Sequence, residues 1–145
     1  VGTTWRSMIG KKEREKDEQT GLYKTKLLAE HPELMDIFNE YRKYHFPEFE
    51  FDQVTINFSP KGTIIKQHLD KVNVGDSVLV AFGDYTGGLT YVANDKDHNF
   101  TLTDCREELL LFNGAEKKHG VTAITSGERY SLVFYKNKYK IKSKN

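Results

Sequence analysis

From Phe49 to Tyr135 the sequence is a succession of short apolar segments separated by turn residues, and this feature restricts the fold most. The segments are too short for typical helices and are rich in β-branched and aromatic residues, as strands are. They include SVLVAF, LTYVA, NFTLTD, ELLLFNG, HGVTAI and ERYSLVFYK. SVLVAF is apolar on both faces, which predicts a central strand. So many short strands predict a β-sandwich or a β-barrel.

A helical pattern precedes these strands. The segment PELMDIFNEYRKYHF begins at Pro32, which suits the first turn of a helix, and Pro47 ends it. Apolar residues at helical spacing predict a core-facing stripe of Leu34, Ile37, Phe38 and Tyr41. In the following segment, FEFDQVTINFS, the apolar alternation changes phase between Phe51 and Val54, which predicts a bulge or a break. Helices followed by strands predict an α+β chain.

The length and the two ends of the chain suggest a simple organisation. With 145 residues the chain has the size of one domain, and we expect residues 1–145 to form it. The run KKEREKDEQT has no apolar residue, so we expect residues 1–21 to be a flexible or peripheral N-terminal segment. Residues 136–145 form a lysine-rich tail, which is either a solvated terminus or a segment that contacts phosphate groups. The net charge of +1 gives no further sign of nucleic-acid binding.

The cysteine content and the hydropathy of the chain indicate the cellular compartment in which the protein is expected. Cys105 is the only cysteine, which excludes an internal disulfide and fits a reducing compartment. No apolar run approaches the roughly 18 residues needed to span a membrane, and the N-terminal sequence is unlike a secretory signal. We therefore expect an intracellular protein that is not secreted and has no membrane partner, and we expect it to be a monomer.

Four features occur in a definite order and point to metal chemistry: His68-x-Asp70, the hairpin sequence GDYTGG, His119 and Arg129. Strand side chains alternate, so His68 and Asp70 would lie on one face of an extended segment, although a polar surface strand would show the same pattern. Two histidines and one carboxylate are the ligand set of non-haem Fe(II) oxygenases, which leaves three metal positions open. Those positions suit a co-substrate that binds through two atoms and O₂ at the third.

The last predicted strand has two different faces. Tyr130, Leu132 and Phe134 form an apolar face that suits packing on the helices. The other face carries Arg129, Ser131, Val133 and Tyr135, and we expect it to point into a cleft. A guanidinium group with a hydroxyl two residues further on suits a carboxylate ligand. Ser131 and Tyr135 are also compatible with ordinary strand positions.

Together these motifs resemble those of the 2-oxoglutarate/Fe(II)-dependent dioxygenases. The segments HLDKVNVGDSVLVAFGDYTGGLTYV and LLLFNGAEKKHGVTAITSGERYSLVFY are similar, more narrowly, to the nucleobase-oxidising branch. This branch contains the TET and J-binding-protein oxygenases and their viral, phage and algal relatives. The similarity runs from about Val54 to Tyr135, over half of the chain. It implies a double-stranded β-helix (jelly-roll) core with N-terminal helices packed on one sheet.

The resemblance also implies roles for individual residues. It makes His68, Asp70 and His119 the ligands of Fe(II), and it implies that 2-oxoglutarate and O₂ are co-substrates. Arg129 would bind the distal carboxylate of 2-oxoglutarate with help from Ser131. Asn73 would hydrogen-bond a flipped base, although it could also cap a turn, and Tyr135 would line the base pocket.

The implied activity is oxidation of the 5-methyl group of a pyrimidine, 5-methylcytosine or thymine, in DNA, either in the nucleus or, for a viral protein, in a host cell. Asn137 stands where cytosine-oxidising members can have a base-contacting histidine, and the cysteine-rich zinc-binding extension of the animal enzymes is missing. The alternatives are a hydroxylase of a protein side chain or small molecule, an AlkB-like demethylase, and a binding module without activity. The intact His68, Asp70, His119 and Arg129 favour an enzyme over a binding module.

Overall fold

The computed structural model describes residues 5–8, 14–16, 23–25, 30–94 and 99–137, with one complete helix and twelve strands among them. The elements in chain order are β1 (Trp5–Met8), β2 (Arg14–Lys16), β3 (Tyr23–Thr25), α1 (Glu33–His45), β4 (Gln53–Pro60), β5 (Ile65–His68), β6 (Asn73–Phe82), β7 (Tyr85–Gly87), β8 (Thr90–Ala93), β9 (Phe100–Thr103), β10 (Leu110–Phe112), β11 (His119–Val121) and β12 (Ile124–Asn137).

Two antiparallel sheets form the body of the protein. The larger sheet has the order β1-β4-β12-β6-β10, with β7 also paired to β12, and the smaller sheet has the order β5-β11-β8-β9. Buried apolar side chains from both sheets, such as Leu79 on β6 and Val121 on β11, form a common core. The predicted α+β class with a double-stranded β-helix core is confirmed. As predicted, SVLVAF is central, because β6 lies between β12 and β10.

Helix α1 packs on the outer face of the larger sheet. Phe38 meets Phe134 of β12 edge to face at 6.0 Å, and Tyr41 stacks on the same ring at 6.2 Å. The helical spacing predicted this contact, except that Ile37 is 54% exposed and does not belong to the inner stripe. Leu34 packs against this cluster as predicted, and Met35 takes the place of Ile37, because the buried face of the helix is rotated relative to the predicted stripe.

Strand β12 carries the two faces that its sequence predicted. Arg129, Ser131 and Tyr135 are buried on the inner side, while Phe134 packs towards α1. One separation between the predicted segments is not a turn, because Ser126 and Gly127, between HGVTAI and ERYSLVFYK, lie within β12 and pair with β7. Gly127 has φ +76°, and a side chain there would collide with the Asp84 carbonyl oxygen, so glycine lets the strand continue past this contact.

The N-terminal region contains strands that the sequence did not predict. Strand β1 pairs with β4 at the edge of the larger sheet, and β2 pairs with β3. The assignment of residues 1–21 to a flexible or peripheral segment stays a prediction. The lysine-rich tail beyond residue 137 lies outside the described residues. Within the part of the chain that the structure describes, no helix has the length and apolar character needed to cross a membrane.

Candidate metal centre and co-substrate pocket

A β-bulge in β5 turns His68 towards the inside of the fold. His68 pairs with His119 and Ile65 pairs with Val121, so two residues of β5 stand opposite the single residue Gly120. The two residues opposite Gly120, at positions 66 and 67, are both exposed, while Ile65 packs against the core. A bulge of this kind reverses the alternation, so a residue three positions after Ile65 also faces inwards.

Asp70 reaches the same place from outside the strand. Strand β5 ends at His68, and the backbone N–H of Asp70 donates to the Gly114 carbonyl at 2.8 Å. A Cβ at Gly114 would lie 3.1 Å from Asp70 Oδ2 and 3.2 Å from His119 Cε1. Because Gly114 has no side chain, the loop before β11 can lie close to both Asp70 and His119. The predicted face shared by His68 and Asp70 is real, but a turn, not a continuous strand, produces it.

The three side chains form a compact set of donors. Nε2 of His119 lies 2.9 Å from Asp70 Oδ2, and Nε2 of His68 lies 3.5 Å from Asp70 Oδ1. One ligand atom from each residue lies within 4.8 Å of the other two. Ligand atoms at right angles around one octahedral metal ion, each at about 2.1 Å, would be about 3 Å apart. The spacing therefore suits one metal ion held at three neighbouring positions.

Backbone hydrogen bonds orient both histidines in the same way. Nδ1 of His68 bonds to the Lys66 carbonyl at 2.7 Å, and Nδ1 of His119 bonds to the Lys117 carbonyl at 2.8 Å. A carbonyl only accepts, so each Nδ1 carries the proton and the neutral ring presents the lone pair of Nε2 to the site. This arrangement is typical of histidines that bind metals.

The contact between His119 and Asp70 tests whether a cation fits the site. With its only proton on Nδ1, His119 would place a lone pair 2.9 Å from a carboxylate oxygen, and two acceptors that close require a proton or a metal cation between them. Burial favours the neutral ring, but the hydrogen bonds to Asp70 and to the Lys117 carbonyl outweigh it, so the pKa of His119 is raised. Two imidazoles, one carboxylate and open positions fit Fe(II).

Arg129 lies in a separate, buried pocket of the barrel. Its side chain is 1% exposed, and its Nη2 donates to Thr90 Oγ1 at 3.3 Å. Its Nε has no hydrogen-bond partner among the described residues. A charged donor buried without a partner costs more than the roughly 1–3 kcal/mol of a neutral one. The pocket therefore suits an anionic ligand such as a carboxylate, as predicted from the sequence.

Several pocket residues escaped the sequence analysis. On β4 the face opposite Val54 is also buried, and it places Ser59 beside Arg129 and Asn57 beside Ser131. Asn57 Nδ2 donates to Ser131 Oγ at 3.2 Å. Unpartnered buried oxygen atoms among the described residues occur on Asn57, Ser59, Thr63, Ser77 and Tyr85. The alternation of FEFDQVTINFS identified the apolar face, and small polar residues on the other face resembled a solvated surface.

The two predicted base-binding residues, Asn73 and Tyr135, lie towards the same end of the β6–β12 pair. Asn73 stands directly opposite Asn137 in the β6–β12 register, two residues beyond Tyr135. Tyr135 is buried, and its hydroxyl accepts a hydrogen bond from Thr55 Oγ1 at 3.2 Å. Asn73 begins β6, and its N–H donates to the Asp70 carbonyl at 3.0 Å.

The fold is shared with several solved structures. NgTET1 in complex with 5mC DNA superposes with a TM-score of 0.62 at 22% identity over 97% of this chain. An oxidoreductase of the 2OG-Fe(II) oxygenase family from Burkholderia pseudomallei gives 0.63 at 15% identity over 97%, and a Pseudomonas putida prolyl-4-hydroxylase gives 0.53 at 15% over 94%. The chain spans 62%, 76% and 73% of those three chains.

Family models and curated protein sequences give no match to the chain. The architecture is nevertheless that of the 2-oxoglutarate/Fe(II) oxygenases, as the sequence predicted. The triad of His68, Asp70 and His119 lies within this architecture and has the donor set that Fe(II) requires. The chain therefore has a fold that these oxygenases share, and within it a donor set that suits Fe(II).

Proposed function

We propose that the protein is a 2-oxoglutarate/Fe(II)-dependent dioxygenase that oxidises the 5-methyl group of a pyrimidine, 5-methylcytosine or thymine, in DNA. The observation that carries the enzyme class is the convergence of His68, Asp70 and His119 in a barrel that also buries Arg129. The same fold serves a protein bound to 5mC DNA and a prolyl-4-hydroxylase, so the DNA substrate rests on further residues.

The chain would divide the reaction between two sites. His68, Asp70 and His119 would hold the iron at three positions and leave three for 2-oxoglutarate and O₂. With these bound, the metal centre supplies oxidative decarboxylation of 2-oxoglutarate to succinate and CO₂, coupled to hydroxylation of a C–H bond. Arg129 would bind the distal carboxylate, and the buried walls of the pocket would keep water from that ion pair.

The charge around the triad supports a polyanionic substrate. Lys66, Lys71 and Lys118 are exposed, and each lies within two residues of a metal-binding side chain. Within the same distance of the triad, Asp70 is the only acidic residue in the sequence. A positive rim suits the phosphates that flank a flipped nucleotide, because a base must leave the duplex to reach a buried metal centre.

Asn73 and Tyr135 would contact the base. Asn73 follows Asp70 by three residues and its amide offers both a donor and an acceptor to the edge of a pyrimidine. Asn73→Ala should leave metal binding and substrate-free decarboxylation of 2-oxoglutarate nearly intact. It should reduce oxidation of methylated DNA by about ten- to a hundredfold, which corresponds to about 1–3 kcal/mol of lost base contact.

A succinate-release assay with a panel of substrates tests the proposal. The panel contains a DNA duplex with 5-methylcytosine, a duplex with thymine as its only methylated base, and a proline-rich peptide. We expect one of the duplexes to stimulate succinate release in wild type and Asn73→Ala to lose that stimulation. Stimulation by the peptide alone would replace the DNA proposal with protein hydroxylation. Loss of metal binding in Asn73→Ala would show that Asn73 supports the structure of the site and gives no information about the substrate.

A further inference from the structure

Tyr85 brings a second polar group to the pocket of Arg129. Tyr85 begins β7 within the GDYTGG hairpin and is 3% exposed. Neither its hydroxyl nor Arg129 Nε has a partner at good hydrogen-bond geometry among the described residues, although the Arg129 guanidinium lies close enough to interact with the hydroxyl. Burial raises the pKa of Tyr85, although the nearby Arg129 guanidinium opposes this effect, so the group is a neutral hydroxyl that can donate a hydrogen bond.

Gly88 allows Tyr85 and Arg129 to lie close together. A Cβ at Gly88 would lie 2.9 Å from Tyr85 Cε2 and 3.1 Å from Arg129 Cδ. Both side chains therefore rest against the same glycine, on the inner side of the hairpin. The Tyr85 hydroxyl can still donate its own proton when the guanidinium approaches its oxygen, so this hydroxyl and Arg129 Nε form a pair of donors suited to one carboxylate.

Arg106 holds Tyr85 from the opposite, outer side. Its guanidinium carbon lies 3.8 Å from the centroid of the Tyr85 ring, and its Nη1 donates to the Tyr85 carbonyl at 2.7 Å. Its Nε and Nη2 donate to the two carboxylate oxygens of Asp104 at 3.1 and 2.9 Å. The Arg106 guanidinium thus fixes both the ring and the backbone of Tyr85, and Asp104 fixes the guanidinium in turn.

We propose that Arg106 is a positioning residue that, with Asp104, holds the Tyr85 hydroxyl beside Arg129, where both groups bind the distal carboxylate of the co-substrate. This inference rests on the proposed function, because it assumes that the co-substrate is a dicarboxylate. Arg106 itself does not reach the ligand and acts through Tyr85. The fixed hydroxyl limits the length of the dicarboxylate, so the site prefers 2-oxoglutarate to 2-oxoadipate, which is longer by one methylene group.

The test is calorimetric titration of 2-oxoglutarate and 2-oxoadipate into the full chain loaded with Mn(II). We expect Arg106→Ala and Tyr85→Phe each to raise the Kd for 2-oxoglutarate by about five- to thirtyfold while Mn(II) affinity is unchanged. We expect the double variant to be no weaker than Tyr85→Phe, because Arg106 acts through the hydroxyl. Preference for 2-oxoglutarate over 2-oxoadipate should fall in all three variants.

Two control variants separate this inference from the proposed function. Arg129→Ala should lose 2-oxoglutarate binding, and unchanged binding there would overturn the proposed function itself. Arg42→Ala removes an arginine that also donates to a backbone carbonyl, that of Pro47 at 2.8 Å, but lies on α1, and it should bind as wild type. If Arg106→Ala is poorly folded, Asp104→Asn provides a milder loss of the same restraint.

Three results would overturn the positioning role. The first is wild-type 2-oxoglutarate affinity in folded Arg106→Ala or Asp104→Asn when Arg129→Ala has lost binding. The second is wild-type affinity in Tyr85→Phe, which would show that the hydroxyl does not reach the ligand. The third is a double variant whose loss equals the product of the two single losses, since Arg106 would then act independently of Tyr85.

Discussion

His68 and His119 are paired across β5 and β11 with their ring centroids 4.4 Å apart, and each ring is oriented by the backbone carbonyl of the residue two positions earlier in the chain. The two Nε2 atoms are therefore set by the backbone of one strand pair. Asp70 joins them through a loop bonded to Gly114. A metal ion would find the two nitrogen ligands already fixed, which lowers the ordering cost of binding.

Removal of the carboxylate tests the metal centre. Asp70→Ala should reduce Fe(II) or Mn(II) affinity by at least about a hundredfold, because the loss of outer-shell partners alone typically costs about 10- to 100-fold. Turnover should disappear while the circular dichroism spectrum persists. The exposed Asp76 of β6 provides the matched control, and Asp76→Ala should bind metal normally. Full activity in Asp70→Ala would disprove the metal centre.

Gly120 allows the strand pairing that brings the two histidines together. A Cβ at Gly120 would collide with the Ile65 carbonyl and the Tyr91 hydroxyl. Gly120→Ala should lower the free energy of unfolding by about 1–3 kcal/mol and weaken metal binding by the folded protein. Gly127→Ala, which meets the Asp84 carbonyl away from the triad, should destabilise the fold without weakening metal binding. Chemical denaturation and metal titration measure both effects, and equal metal affinity in the two variants would contradict this account.

The exposed lysines near the triad predict a salt-dependent interaction with DNA. Each of Lys66, Lys71 and Lys118 that contacts a phosphate contributes about 0.9 to the slope of log K against log salt. Replacing all three by glutamine should flatten that slope, whereas Lys43→Gln on α1 should not. Fluorescence anisotropy with a methylated duplex measures the slope. Equal slopes for the triple variant and wild type would show that these lysines do not contact the DNA phosphates.

The tail lysines at positions 138, 140, 142 and 144 lie outside the described residues, and their role remains a prediction. If they contact DNA, neutralising them should weaken binding equally for all sequences and flatten the salt dependence. An unchanged salt dependence would mean that the tail does not contribute.

Cys105 should be chemically inert in the folded protein. It is 3% exposed, and burial raises the pKa of its thiol. The pKa of the Cys105 thiol is therefore higher in the folded than in the unfolded protein. Its contribution to the free energy of unfolding is fully present below about pH 8.5 and is lost as the pH rises through the folded pKa. At pH 8, alkylation should proceed only as fast as the protein opens, and denaturant should accelerate it strongly. Rapid alkylation without denaturant would contradict the buried position.

The periodic elements could be predicted from the sequence, and the irregular ones could not. The apolar repeat of α1 and the two faces of β12 follow directly from helical and strand spacing. The bulge in β5 has no such pattern, because its exposed residues Lys66 and Gln67 resemble an ordinary polar strand. Arg106 lies in the loop between β9 and β10, and only the tertiary fold brings it against Tyr85.

The polar face of β4 shows a second limit of prediction from sequence. Asn57 and Ser59 are short polar residues on a strand whose other face is apolar, which normally indicates a solvated side. Here both faces are buried, and α1 covers the apolar one, so the polar face lies in the interior of the protein. Sequence periodicity shows which residues share a face but not what covers that face.

The most direct measurement is mass spectrometry of nucleosides from methylated DNA treated with the protein, Fe(II), ascorbate and 2-oxoglutarate. Parallel reactions use Asp70→Ala and omit 2-oxoglutarate. We predict an oxidised derivative of 5-methylcytosine or of thymine, heavier than its parent by one oxygen atom, that forms only with wild type and 2-oxoglutarate. The absence of any oxidised pyrimidine from a preparation that hydroxylates a peptide or a small molecule under the same conditions would contradict the proposed function.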